Sequence, residues 1–123
     1  MKNIIFCFLF LSIFIYSSTH ASDKWTITNT VLEISSQTLR FIDFKQTLQI
    51  AENPDKYYER NPLLGEHPSK EKVYLYFISG AIGHFMISYF LPEPYRTAFQ
   101  ASNIVLTLPV IAGNFQIGLG VRF

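Results

Sequence analysis

An uncharged segment in the second half of the chain constrains the fold more than any other feature. From Val73 to Leu91 there are nineteen consecutive residues without a formal charge. A helix rises about 1.5 Å per residue, so a run of this length approaches the thickness of the hydrocarbon core of a bilayer. The segment therefore predicts a transmembrane helix. Ser79, Gly80 and Gly83 are small residues that allow another helix to approach it closely.

A second long helix is predicted from Trp25 to Glu52, where the chain has no proline or glycine. Asp23 or Thr26 can cap its start, and Asn53-Pro54 ends it because proline cannot continue the helical hydrogen bonds. Its polar residues recur at steps of four and three, which places them on one stripe, and the stripe is expected to face the other helices. The stripe consists of Asn29, Glu33, Ser36, Arg40, Asp43 and Thr47, with Gln46 beside it.

The last part of the chain contains two patterns. A third helix is predicted from Tyr95 or Arg96 to Ala112, with Pro109 making its last turn irregular. From Phe115 to Phe123, apolar residues then alternate with others, which is a strand signal. An outer-membrane barrel needs about eight such segments, so a short extended tail packed against the helices is favoured. The predicted fold is an all-α membrane bundle of three helices.

The N-terminal segment resembles a secretory signal. Lys2 precedes an apolar run, and small or polar residues lead up to Ala21. Residues 1–21 are therefore predicted to be a signal peptide, either cleaved or kept as an anchor, and residues 22–123 a single helical membrane domain. Cleavage removes Lys2 and Cys7, the only cysteine, and leaves nine basic residues, the ten of the whole chain minus Lys2, against nine acidic ones. A chain without cysteine cannot form a disulfide framework. A chain with no net charge also lacks the basic surface that nucleic-acid binding requires.

The connection between the first two helices holds the densest basic cluster of the predicted domain. It contains Lys56, Arg60, Lys70 and Lys72, whereas the next connection has Arg96 alone. Basic loops stay in the cytoplasm, so this asymmetry predicts a cytoplasmic connection in a bacterial inner membrane. The expected partners are the lipid bilayer and either another membrane protein or a second copy of the chain.

Part of this pattern resembles a known group of sequences. Asp43 and Thr47 stand four residues apart, and Glu59-x-Asn61-Pro62-x-Leu64-Gly65 follows before the uncharged segment. The combination resembles small uncharacterised bacterial and phage membrane proteins with an Asp-x-x-x-Thr helix and a Glu-x-Asn-Pro turn. The resemblance covers residues 25–68 best and implies location and architecture only. Its matching positions are Asp43, Gln46, Thr47, Glu59, Asn61, Pro62 and Gly65.

Three residues are candidates for chemistry. Asp43 is costly to keep near hydrocarbon unless it is paired, and Arg40 and Thr47 are within reach on the same helix face. His84 lies in the middle of the uncharged segment, where an imidazole is able to bond a partner helix or relay protons. Glu59 precedes the turn. Each also has a structural interpretation: a polar or solvated stripe for Asp43, helix packing for His84, and a turn role for Glu59 and Asn61.

Two classes of function remain open at this point, together with a third arrangement in which the first helix lies on the periplasmic membrane surface with its amphipathic face in the headgroups. The first is a non-enzymatic membrane component that acts through helix contacts, with its polar stripe buried and closed to substrate. The second is an acid-base or metal site in which Asp43, Glu59 and His84 converge around an open pocket. The sequence has no nucleophile elbow, zinc helix or phosphate loop, so it favours the first class and predicts no metal site or cofactor.

Overall fold

The computed structural model describes residues 23–123. Within this range the chain forms three helices and no strands: α1 at Ile27–Glu52, α2 at Lys70–Phe90 and α3 at Tyr95–Gln116. The predicted all-α bundle of three helices is confirmed. The predicted signal peptide, residues 1–21, lies outside the described residues.

Local signals set the ends of α1 and α2. The Thr26 hydroxyl accepts the Asn29 N–H at 3.1 Å, and Asn29 Oδ1 accepts the Thr26 N–H at 3.0 Å, which is a reciprocal capping box. Asn53 caps the other end of α1, immediately before proline. α2 begins three residues earlier than predicted, since Ser69 caps it by accepting the Lys72 N–H at 3.2 Å.

The C-terminal part of the chain differs from the prediction. α3 continues through Phe115 and Gln116, so the alternating pattern does not form a strand there. The helix ends because Gly118 has a φ of 90°, and its N–H donates to Phe115 O while Leu119 N–H donates to Asn114 O. This pair of bonds is a Schellman ending, and it buries Leu119 against the bundle. The remaining tail is short and has no regular structure.

All three helices contact one another, and α1 lies between the other two as their main partner. An apolar cluster closes one end of the α1–α2 contact. It comprises Leu48, Leu64, Val73 and Phe77, with Phe44, Ala51 and Tyr76 packed against it. Leu64 is 2% exposed and Pro68 is also buried, so both side chains hold the connection between α1 and α2 against the helices.

Among the described residues, many buried side chains are polar and many large apolar side chains are exposed. Large apolar side chains point outward, including Ile34, Ile82 and Leu106 at 62%, 56% and 72% exposure. Fully buried positions include the polar residues Asn29, Ser36, Gln46, Ser88 and Gln100. By length and composition, α2 and α3 are able to cross a membrane.

Candidate functional site

The polar stripe of α1 faces the interior along most of its length. Asn29, Ser36 and Gln46 are fully buried, and Glu33 and Thr47 are nearly so. Arg40 and Asp43 are half-buried. The stripe passes through two regions of different character: a closed polar cluster in the first half of α1 and an open cavity in the second half.

The closed cluster consists of Asn29, Glu33, His84, Arg96 and Gln100. Its centre is the Glu33 carboxylate, which contacts all three helices. Oε1 accepts the Gln37 amide at 2.8 Å and lies 3.1 Å from His84 Nδ1, while Oε2 accepts Gln100 Nε2 at 3.1 Å. A buried carboxylate needs such partners, because an unpaired charge is expensive away from water.

Gln100 joins α3 to α1 through both ends of its amide. Nε2 donates to Asn29 O at 3.1 Å as well as to Glu33, and Oε1 accepts Asn29 Nδ2 at 3.4 Å. Its backbone carbonyl accepts the Ser36 hydroxyl at 3.3 Å. Gln100 is therefore the side chain on which the α1–α3 contact depends most.

His84 is held between Glu33 and an aromatic ring. The imidazole stacks on Phe99, with 4.7 Å between ring centroids, and is 4% exposed. Its Nε2 and the Ser88 hydroxyl, one turn away, have no hydrogen-bond partner among residues 23–123. His84 does not line the cavity described below.

Arg96 and Glu93 close the cluster at the end where α2 joins α3. Arg96 Nε donates to Ser88 O at 3.0 Å, and its guanidinium lies 5.4 Å from the Trp25 ring centroid. Glu93 accepts Asn29 Nδ2 at 2.7 Å. Burial opposes ionisation of Glu93, but hydrogen bonds from Asn29 and Thr97 outweigh it, so the pKa of Glu93 lies below its ordinary value.

Arg40 lies between the two regions. A side-chain carbon on Gly80 would lie 2.9 Å from Arg40 Nη1, so the absence of a side chain at Gly80 makes room for the guanidinium. Its Nε is buried without a hydrogen-bond partner in the described part of the chain. Of the two glycines that the sequence singled out in α2, Gly80 makes room for a side chain of α1. A side-chain carbon on Gly83 would have no atom within 4 Å.

The second half of α1 lines a cavity of about 560 Å³. Asp43 and Thr47 contribute from α1, Glu59 and Asn61 from the connection, and Asn114 from α3. Asp43 interacts with the Thr47 hydroxyl and with the charges of Glu59 and Arg40. The apolar part of the lining includes Ile50, Leu64, Phe77, Leu106, Val110 and Ile117.

Amides at the edge of this cavity tie α1 to the end of α3. Asn114 Nδ2 donates to Gln46 Oε1 at 3.0 Å, and Gln46 Nε2 donates to Ile111 O at 3.4 Å. Gln49 exchanges hydrogen bonds with the backbone of Gly120, which fixes the tail. Hydrogen bonds therefore join α1 to the end of α3 beside the cavity.

The turn between α1 and α2 has its own internal bonds. Glu59 Oε1 accepts the Asn61 N–H at 2.8 Å, and Asn61 Oδ1 accepts the Leu63 N–H at 3.0 Å. Pro62 lies within this turn, and Gly65 adopts a φ of 80°, which a side chain would disfavour. Glu59 and Asn61 thus shape the turn and line the cavity at the same time.

The structure brings two of the three candidate residues together. Asp43 and Glu59 share the cavity, whereas His84 belongs to the closed cluster with Glu33. Within residues 23–123, no group of three or more His, Cys, Asp or Glu side chains is placed to hold a metal ion.

Sequence reasoning missed the contribution of α3. Arg96 and Gln100 are 2% and 0% exposed, although the sequence had indicated only a mostly apolar helix there. A signal was present: Arg96, Gln100, Asn103 and Thr107 recur at steps of four, three and four, as on α1. Two helices with matching polar stripes predict a shared polar interface.

Comparisons with known proteins assign no family to this geometry. No protein-family model, curated protein or solved structure matches the chain.

Proposed function

We propose that the chain is a small integral membrane protein of a bacterial envelope, whose three helices cross the bilayer as a bundle. One observation carries the proposal: ten polar or charged side chains of the described residues are buried, while large apolar side chains cover the outside. In water this arrangement would expose apolar surface and bury polar groups, both at a cost. In a bilayer the apolar surface meets lipid, and polar groups hydrogen-bond across helices.

The helix dimensions agree with this placement. α1 has 26 residues, α2 has 21 and α3 has 22. At about 1.5 Å per residue, each is as long as the hydrocarbon core or longer. Two connections then make the helices alternate in direction, a long one at residues 53–69 on one side and a short one from Leu91 to Pro94 on the other.

The proposed biochemical role is that of a non-enzymatic component that acts through helix contacts. The closed cluster supports it, because Glu33 and His84 are paired with each other and enclosed by Phe99 and Gln100. The outward apolar faces of α2 and α3 are available to lipid, to another membrane protein or to a second copy. The alternative site built from Asp43, Glu59 and His84 has support for the first two residues only.

Two measurements on membranes test the location. After extraction with alkaline carbonate, the protein is expected to stay in the membrane fraction, whereas a surface-bound protein would be released. Single cysteines at Asp55 and Ser69 in a Cys7→Ser background then report the topology. We expect an impermeant thiol reagent to label both only after lysis, which places the basic connection in the cytoplasm.

A matched probe at Asp23 makes this topology test decisive. Asp23 lies at the opposite end of the bundle, beside the α2–α3 connection, where its carboxylate accepts the Glu93 N–H. It should label in intact cells of a strain with a permeable outer membrane. Labelling of Asp55 and Ser69 in those intact cells would contradict the proposed orientation, and release by carbonate would contradict the integral location.

A further inference from the structure

The cavity beside Asp43 combines open volume with carboxylates and aromatic rings, a combination that helix packing does not require. Its volume of about 560 Å³ is in the range of sites for small organic molecules. Asp43, Glu59 and the tyrosines Tyr58 and Tyr76 border it together with apolar side chains. Filling this space with apolar side chains would have joined the helices more tightly.

The charge of the lining favours a cation. Among the described residues, the lining holds two carboxylates, Asp43 and Glu59, and one cation, Arg60. Arg60 is exposed, and its guanidinium lies 5.9 Å from the ring centroid of Tyr58, so the lining keeps one more carboxylate than cations. Both carboxylates border the same cavity. Arg40 attracts Asp43 from the same helix but lies outside the lining, and a positive group inside the cavity would be attracted to both carboxylates.

The rest of the lining favours an organic body over a bare metal ion. Phe77, Leu106 and Val110 present apolar surface, and the Tyr76 ring offers a face that attracts cations. An inorganic divalent cation prefers several oxygen ligands arranged around it. Here the oxygen-bearing side chains lie among apolar ones and come from separate elements, which suits a molecule with one charged end and one apolar end.

We propose that this cavity binds an alkylammonium group that carries a small apolar body. The ammonium lies between Asp43 and Glu59, with Thr47 and Asn61 as further acceptors, and the apolar part lies against Phe77 and α3. The group belongs either to a free amine or to the amine headgroup of a lipid. This site goes beyond the proposed function and does not depend on the orientation of the bundle.

The test uses the full-length protein in phosphatidylglycerol nanodiscs, with empty nanodiscs as the blank. Isothermal titration calorimetry compares 2-phenylethylammonium with 2-phenylethanol, which has nearly the same shape and no charge. The ammonium is expected to bind at least about tenfold more tightly than the alcohol, because only the ammonium pairs with the carboxylates. Equal binding of the two compounds would overturn the proposal.

Two variants locate the binding. Asp43→Asn and Glu59→Gln remove one charge each but keep an oxygen that accepts the bonds from Thr47 and from the Asn61 N–H. Each should weaken ammonium binding by about tenfold and leave the alcohol unchanged. Glu71→Gln is the matched control, because Glu71 is exposed at the start of α2 and outside the cavity. Ammonium binding that is insensitive to both cavity variants would overturn the assignment.

Glu59→Gln keeps the test valid if Asp43→Asn does not fold, since Glu59 is outside the helices.

A titration with Mg²⁺ alone tests whether the cavity binds an inorganic cation instead. Strong Mg²⁺ binding that Glu59→Gln abolishes, without ammonium binding, would also overturn the proposal. Phosphatidylglycerol nanodiscs that contain the same fraction of either phosphatidylethanolamine or diacylglycerol have equal surface charge and identify the source. Lower ammonium affinity with phosphatidylethanolamine supports a lipid headgroup as the occupant, and equal affinity supports a free amine.

Discussion

The two halves of α1 carry the same kind of polar stripe, but it has two different surroundings. In the closed cluster, Glu33 has polar partners on α1, α2 and α3, and Phe99 covers the neighbouring imidazole. Around Asp43 the turn and α3 instead leave a cavity of about 560 Å³. The comparison shows that one polar stripe is able to bond neighbouring helices along one part and to border an open cavity along another. The elements packed against each part determine which of the two occurs.

The largest expected effect is on the closed cluster. Gln100→Leu keeps a similar volume but removes one of the donors to Glu33 and both bonds to Asn29. We expect a loss of about 3 kcal/mol in the free energy of unfolding, because a buried carboxylate loses a partner. Unfolding in mixed micelles of dodecyl maltoside and SDS measures it.

Ser102→Leu is the control for this substitution. Ser102 lies on the exposed face of α3, so the same polar-to-leucine change should alter the free energy of unfolding by less than about 0.5 kcal/mol. Equal losses for the two variants would mean that Gln100 is not a special contact and that the cluster does not hold the bundle together.

His84 offers a second, smaller test of the closed cluster. His84→Phe keeps a ring against Phe99 but leaves Glu33 Oε1 with Gln37 only. We expect a loss of about 2 kcal/mol, and a smaller loss for His84→Gln, whose amide is able to donate to Glu33. If phenylalanine is tolerated as well as glutamine, the histidine serves as packing alone.

The cavity half should respond differently to a comparable change. Asp43→Asn removes an attraction to Arg40 but also a repulsion from Glu59. These contributions oppose each other, so the free energy of unfolding should change by less than about 1 kcal/mol. A loss as large as that of Gln100→Leu would show that Asp43 stabilises the bundle as much as the closed cluster does. The two halves of α1 would then not differ in their contribution to stability.

The smallest expected effect concerns pH at the end of the closed cluster. The pKa of Glu93 is lower in the folded chain than its ordinary value of 4.5. Its contribution to stability is therefore complete above that ordinary value and is lost as the pH falls through the lowered pKa. Glu93→Gln should reduce the slope of stability against pH in this acidic range. An unchanged slope would show that Glu93 is not coupled to folding.

The sequence was sufficient for the parts of the fold that have local causes. Its polar period and caps predicted α1 almost to the residue, and its lack of charge predicted α2. The end of α3 was predicted too early, because the apolar alternation in the tail indicated a strand and Gly118 was not recognised as the residue that ends the helix. The pairing of His84 with Glu33 was not predictable, since the two are 51 residues apart and no local spacing connects them. The cavity depends on how the turn folds back, which a single sequence does not specify.

The most direct test of the central claim is the surroundings of the outward apolar side chains in a bilayer. Spin labels at Ile34, Ile82 and Leu106, in a Cys7→Ser background, are compared with one at Asp55 after reconstitution into liposomes. The account predicts that the three helix labels collide readily with oxygen and hardly with a water-soluble nickel chelate, whereas Asp55 shows the reverse. Helix labels that are as open to nickel as Asp55 would contradict a bundle with a polar interior in lipid.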